Sequence, residues 1–132
     1  MNDEVRGLLA GPNIAHLATL LPDGSPHSVA VWAGLSGDRA YFFTQERSRK
    51  ARNLREDPRV AISMVDRNNP YATGWLRGRV VETLEGEDAL KLIDELALKY
   101  TGRPFPMRSG TVYLIEAERA GSMTLPFQPV PE

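Results

Sequence analysis

The residues best suited to bind a ligand lie between positions 44 and 58, a segment with five cations that follows an apolar run. The pattern predicts a short helix over about 48–56, with Arg49 and Lys50 in its first turn. Positive side chains there oppose the helix dipole, which favours negative charge at that end. Free backbone N–H groups at a helix N-terminus bind anions, most often phosphate. The segment therefore indicates a phosphate site, with Ser48 as the helix cap.

Arg49 and Lys50 are the expected phosphate ligands, with Arg55 as a further contact. Arginine can bind phosphate through two parallel hydrogen bonds, whereas lysine acts as a point charge. The alternative is an ordinary solvated helix face, on which Arg52 pairs with Glu56 one turn away. Spacing alone favours this alternative, because cationic helix faces are common. Nucleic-acid binding is disfavoured, since carboxylates flank the segment and no aromatic residues alternate with its cations.

Two further segments could border a flat ligand. On the strand predicted from residue 26, alternation places His27 on one face and small residues such as Ser28 on the other, which leaves room for a ring. His27 is assigned as a cofactor-edge contact and His16 as structural. In the run 73–75, Trp75 is by default a core residue. The alternative is that it stacks near an aromatic ligand, with Gly74 allowing close approach of the backbone.

No residue can be assigned to catalysis from the sequence. The chain has no cysteine and two histidines, so neither a thiolate nucleophile nor a multi-histidine metal site is expected. The serines lack a glycine-flanked elbow, and the carboxylates show no acid–base pairing. If the protein is an enzyme, a bound cofactor supplies the reactivity and the chain supplies its position.

Size and composition set the broad class. The 132 residues fit a single domain, taken as 1–132, and the net charge of −1 gives no general attraction to nucleic acid or anionic membranes. No stretch reaches the roughly 18 apolar residues of a membrane span. The first residues are acidic where a signal peptide would be basic, so a cytoplasmic location is expected.

Short strands and a few helices must position the candidate residues. Helices are predicted at 3–10, 48–56 and 87–100, and strands at 13–21, 26–35, 39–44, 59–65, 71–84 and 111–118. Two successive hairpins predict that the first three strands form an antiparallel meander. A proline-rich loop is expected at 101–110 and an irregular tail at 121–132. Together these elements predict a small β-barrel of the α+β class.

A series of short motifs, taken in order, resembles a known family. The motifs are Ile14–Leu20, Asp23–His27, Tyr41–Thr44, Ser48–Leu54, Asp57–Ala61 and Leu76–Val80. Their order and spacing resemble the pyridoxamine-phosphate-oxidase-like split β-barrel family over about 5–120. The runs Asn69–Tyr71 and Arg77–Val80, and a helix ending at Lys99 and Tyr100, are similar to the branch that uses the deazaflavin coenzyme F-420.

The resemblance implies a split barrel of about six antiparallel strands with two to three helices, and a homodimer with the cofactor between subunits. The cofactor phosphate would be held by Ser48, Arg49 and Lys50. The ring system would lie along Phe43, Thr44 and Gln45, with Pro26, His27 and Ser28 at its border. Thr73, Gly74 and Trp75 would reach it from the partner subunit.

The resemblance also supplies the function hypotheses. The first is an F-420-dependent oxidoreductase that transfers hydride between the deazaflavin and a small unsaturated organic substrate. The second is an FMN-binding flavin reductase or oxidase of the same fold. The third is a non-catalytic binder of a flavin or deazaflavin. All three use the same phosphate site, so the motif does not distinguish between them.

Overall fold

The computed structural model describes residues 1–131, and Glu132, the last residue of the predicted tail, lies outside them. Over this range the chain forms three helices and seven strands. The helices are α1 (Asp3–Ala10), α2 (Arg49–Glu56) and α3 (Gly86–Thr101). The strands are β1 (Ala15–Leu20), β2 (Pro26–Val31), β3 (Gly34–Ser36), β4 (Arg39–Thr44), β5 (Arg59–Asp66), β6 (Asn69–Leu84) and β7 (Thr111–Thr124). The predicted α+β, mainly β fold is confirmed.

The strands form one antiparallel sheet whose two edges are consecutive in the chain. The strand order is β2-β1-β5-β6-β7-β4-β3. Only Trp32 and Ala33 separate the edge strands β2 and β3. The sheet must therefore curl until its edges nearly meet, which makes it a barrel with a split at these two residues.

Two sequence-based expectations about the strands are wrong. The strand predicted at 26–35 is interrupted at Trp32 and Ala33, which raises the strand count above the predicted six. The predicted meander is also absent over residues 1–131, because β2 pairs with β1 at one edge and β3 pairs with β4 at the other. Local turn signals identified both hairpins correctly, but hydrogen bonding to distant strands decides where each hairpin lies in the sheet.

The last strand is longer than predicted. It continues past residue 118 because β6 offers pairing partners as far as Ala72, opposite Thr124. Two register shifts along this pair, between Arg77 and Gly78 and between Val80 and Glu82, bend the strands. The predicted irregular tail therefore begins only after Thr124.

The barrel interior holds the larger of two apolar clusters. Leu17, Phe42, Ile62 and Leu76 are fully buried there, and α1 packs against the same cluster. The second cluster lies between α3 and the outer side of β4 and β7, and it includes Ile93 and Val112. None of the helices within residues 1–131 combines the length and apolar character needed to cross a membrane.

The last turn of α3 covers the split in the barrel. Ala33 lies between the two sheet edges, and its backbone N–H donates to the Tyr100 hydroxyl at 3.2 Å. Its carbonyl accepts from Lys99 Nζ at 2.6 Å, and the same ammonium donates to the carbonyl of Leu9 at 2.9 Å. The Tyr100 hydroxyl also donates to the carbonyl of Asn13 at 2.6 Å. Two side chains of α3 thus satisfy backbone groups that the interrupted sheet leaves without strand partners.

Candidate functional site

The junction between β4 and α2 presents several hydrogen-bond donors at one point. Ser48 caps α2: its Oγ accepts from the backbone N–H of Ala51 at 3.1 Å and from the Thr44 hydroxyl at 2.9 Å. The Ser48 O–H therefore remains able to donate. Within residues 1–131 the backbone N–H groups of Arg49 and Lys50 have no carbonyl partner. The first turn of α2 contains no acidic residue and begins with Arg49 and Lys50, so its free N–H groups and its charges both favour an anion.

Arg49 is held in place through two buried polar residues. Its Nε donates to Asn53 Oδ1 at 2.9 Å, and Asn53 Nδ2 donates to Thr19 Oγ1 at 3.0 Å. Asn53 and Thr19 are both 1% exposed. This chain of bonds connects α2 to β1 and leaves the terminal nitrogens of Arg49 available for a ligand.

Lys50 lies at a cavity of about 390 Å³. Its side chain is half-buried, and the resulting loss of hydration lowers the pKa of its ammonium. It forms no hydrogen bond or ion pair with a side chain of residues 1–131. The other residues of the cavity wall are Ile14, Ala30, Val31, Trp32, Phe43 and Phe105. A single cation therefore faces a space with otherwise apolar walls.

Aromatic rings form much of this cavity wall. The Trp32 indole stacks on Tyr100, with ring centroids 5.3 Å apart and planes 6° apart. Phe105 meets Phe43 edge to face at 5.0 Å. Such walls suit a flat, apolar ring.

The remaining predicted residues of the β4–α2 segment have other contacts. Gln45 Nε2 donates to the carbonyl of Ser109 at 2.9 Å, so this side chain holds the loop after α3. Arg55 points away from the cavity and donates to the backbone carbonyl of Glu46 at 2.7 Å. It lines a separate groove together with Arg49 and Arg52.

The predicted β2 residues lie on both faces of their strand. His27 is half-buried and stands opposite Thr19, and its Nδ1 atom is buried without a hydrogen-bond partner among residues 1–131. Pro26 and Ser28 are exposed on the other face, away from the Lys50 cavity. Among the three predicted β2 residues, only His27 lies on the same face of the sheet as Thr19, which is hydrogen-bonded to Asn53 of α2.

The predicted β6 residues lie apart from the Lys50 cavity within one chain. Gly74 faces α1, where a Cβ atom would come within 2.6 Å of Leu8. Within one chain, the missing side chain at Gly74 therefore makes room for Leu8 of α1, whereas the sequence had suggested close approach of a ligand. Trp75 is 40% exposed on the outer face and lies across Gly121 on β7. The expectation that Thr73 and Trp75 act from a partner subunit concerns a second copy and stays a prediction.

Comparisons with known proteins agree with this architecture. The family model described as pyridoxamine 5'-phosphate oxidase matches residues 1–122. The chain belongs to the pyridoxamine 5'-phosphate oxidase family. Among curated proteins, none matches the chain.

Solved structures of similar proteins support the family and its deazaflavin branch. An F-420 reductase is 28% identical, with 88% of this chain and 94% of that chain covered and a TM-score of 0.78. The conserved hypothetical protein Rv2991 from Mycobacterium tuberculosis is 27% identical, with coverage of 100% and 93% and a TM-score of 0.80. HupZ from Group A Streptococcus, at 17% identity, coverage of 94% of each chain and a TM-score of 0.69, shares the fold.

Sequence reasoning missed several residues of this candidate site. Ile14, Val31 and Trp32 line the cavity, but their apolar character resembles that of ordinary strand residues. Asn53 is a buried amide in a strongly charged helix. An uncharged polar residue among charged ones is only a weak sign of a buried hydrogen bond. Of the missed residues, Phe105 was the easiest to predict. An aromatic residue between two prolines is unusual in a loop that is exposed to solvent.

Proposed function

We propose that this protein is a cytoplasmic homodimeric oxidoreductase that binds coenzyme F-420 and acts on a small unsaturated organic substrate. The observation that carries the proposal is the position of Lys50, which joins the donor-rich N-terminus of α2 to an apolar cavity with aromatic walls. A phosphate attached to a flat ring matches these two environments. The 28% identity to an F-420 reductase over nearly the whole chain favours a deazaflavin ring.

The chain offers a complete set of donors for the phosphate. Ser48 O–H and the backbone N–H groups of Arg49 and Lys50 lie at the start of α2, where the Lys50 side chain lines the aromatic cavity and the Arg49 side chain lines a second groove. The bonds from Arg49 to Asn53 and from Asn53 to Thr19 orient the guanidinium before a ligand arrives.

The cavity would receive the ring and exclude water from it. When bound, F-420 supplies hydride transfer to or from an electron-poor carbon of the substrate. Trp32, Phe43 and Phe105 enclose the ring edge and keep it in an apolar environment. No side chain near the cavity is assigned as a proton donor, so the chain contributes mainly orientation and shielding.

The outer face of β1, β2, β5 and β6 supports the proposal of a homodimer. Cross-strand pairing aligns Ala30, His16, Ser63 and Trp75 in one row, so small side chains lie beside an exposed indole. The neighbouring apolar side chains Ile14, Val65 and Met123 are also exposed on this part of the sheet. Exposed apolar side chains grouped around an indole are typical of an interface, and a second copy would bring Thr73 and Trp75 towards a cofactor.

FMN is the second candidate cofactor, because the phosphate site suits it equally and the family model that matches is that of an oxidase. Titration of the purified protein with F-420 and with FMN, followed by the fluorescence of each ligand, separates the two. We expect micromolar or tighter binding of F-420 and much weaker binding of FMN. Tight FMN binding without F-420 binding would support the flavoprotein. Reduced F-420 that binds but is not oxidised by any enone or quinone would support a non-catalytic binder.

A further inference from the structure

The loop between α3 and β7 carries an aromatic side chain into the Lys50 cavity. Phe105 stands between Pro104 and Pro106, and both prolines restrict the backbone around it. Its ring contacts Phe43 at 5.0 Å and Trp32 at 6.5 Å between centroids, edge to face in each case. The loop therefore supplies one wall of the cavity.

Asp94 on α3 and Arg108 in the loop hold the backbone of Phe105 from both sides. The two side chains form a two-bond pair, with Arg108 Nη1 to Asp94 Oδ1 at 2.9 Å and Nη2 to Oδ2 at 3.0 Å. The same Oδ1 accepts from the backbone N–H of Phe105 at 3.2 Å. Arg108 Nη1 also donates to the Phe105 carbonyl at 2.9 Å. Both backbone polar groups of Phe105 are thus bound by this pair.

The far end of the loop is fastened to the phosphate-binding segment. Gln45 donates to the carbonyl of Ser109, and Gly110 leaves no room for a larger residue, because a Cβ atom would lie 3.0 Å from Ile93 and 3.4 Å from Phe43. The loop is therefore attached at one end to α3 and at the other to β4, directly beside the cavity.

An exposed ion pair by itself contributes little to the free energy of unfolding. Here, however, both members of the pair bind the backbone of one residue of the cavity wall, Phe105. We propose that Phe105 is a specificity-determining residue that contacts the bound ring, and that Asp94 and Arg108 are positioning residues that hold it there. The ligand class is a flat, fused-ring system. The inference rests on the proposed function, since it assigns the ring to the cavity beside Lys50.

Two ligands and three variants separate ring contact from phosphate contact. The probes are F-420 and deazariboflavin, which has the same type of fused ring and an uncharged side chain. F105A is expected to weaken both ligands by about tenfold, because an aromatic contact and its buried area are lost. K50A is expected to weaken F-420 and leave deazariboflavin unchanged. F105L, which keeps apolar bulk without a flat face, should give an intermediate loss and also covers the case in which F105A fails to fold.

The positioning role is tested with D94N and a control on the same loop. D94N should weaken both ligands by about threefold and should speed trypsin cleavage after Arg108, because the loop opens more often. R103A removes another arginine of the loop whose guanidinium forms no hydrogen bond or ion pair among residues 1–131, and it should behave as wild type.

The outcomes distinguish this inference from the proposed function. If the wild-type protein binds neither F-420 nor FMN, the proposed function fails and the inference with it. If the wild type binds F-420 but F105A and F105L bind both probes equally well, only the role of Phe105 is overturned. If D94N leaves the affinities and the cleavage rate unchanged while F105A lowers affinity, the positioning role of the ion pair is overturned.

Discussion

Lys50 combines a positive charge with an incompletely hydrated position. Burial lowers the pKa of its ammonium, which means that the charge is held at a cost in free energy in the absence of an anion. A bound phosphate would remove part of that cost. Lys91 on α3 is exposed, so a bound anion would not relieve a comparable cost there.

Replacement of Lys50 tests its role in phosphate binding. K50A should weaken F-420 by about 1–3 kcal/mol, because a charge-assisted hydrogen bond is lost. K91A should change the affinity little. Isothermal titration calorimetry measures both variants, and equal affinities for K50A and wild type would remove Lys50 from the site.

The lowered pKa of Lys50 also predicts a pH dependence. As pH rises towards the lowered pKa, the ammonium is lost at a lower pH than for an ordinary lysine, and phosphate affinity falls with it. Wild-type affinity for F-420 should therefore decrease at alkaline pH more steeply than that of K50A. Parallel curves for the two proteins, measured by ligand fluorescence, would contradict this assignment.

At the scale of elements, the last turn of α3 closes the barrel. Lys99 and Tyr100 bind the backbone of Ala33, Leu9 and Asn13, and so join α1, β1 and both edges of the sheet. Tyr100 also stacks on Trp32, which lines the Lys50 cavity. The element that completes the fold therefore also supports the site.

The pKa of Lys99 predicts how stability changes with pH. Burial lowers this pKa from 10.5 to about 8. Between those two values the unfolded chain binds more protons than the folded chain, so the free energy of unfolding rises with pH. K99M should remove this rise and should destabilise the protein at pH 7 by about 1–2 kcal/mol, because two carbonyls lose a donor.

Urea unfolding at neutral pH and near pH 9.5 measures both effects of the Lys99 substitution. K91M, on the same helix but exposed, is the control and should keep the wild-type pH dependence. A K99M protein whose stability still rises with pH in parallel with wild type would show that another group causes the rise.

For the molecule as a whole, the outer face of β1, β2, β5 and β6 is the surface on which the proposed homodimer would form. Ser63 lies near the centre of this face, between His16 and Trp75. It is exposed in the single chain, so a larger residue there should not disturb the fold. In the proposed homodimer the same position would be buried against the partner.

S63R should therefore convert the dimer to a folded monomer, because an arginine would be placed in an apolar interface. Thr83 on β6 is also exposed, and T83R is the matched control that should stay dimeric. Size-exclusion chromatography with light scattering measures both. If Trp75 acts from the partner, S63R should also lose F-420 affinity, whereas a dimeric S63R would exclude this face as the interface.

The local features of this protein can be predicted from its sequence alone. The sequence identified all three helices, the two hairpins and the cationic start of α2, because capping, turn chemistry and side-chain periodicity depend on neighbours in the chain. It also indicated the family, which the match over residues 1–122 confirms.

The surroundings of α2, in contrast, depend on long-range packing. The interruption at Trp32 and Ala33, the extension of β7 to Thr124 and the approach of Phe105 to Lys50 depend on contacts between residues that are far apart in the sequence. Such contacts are set by the packing of the closed barrel, which no local pattern encodes. The cations of α2 could have formed a solvated surface, and the fold is what placed one of them at an aromatic cavity.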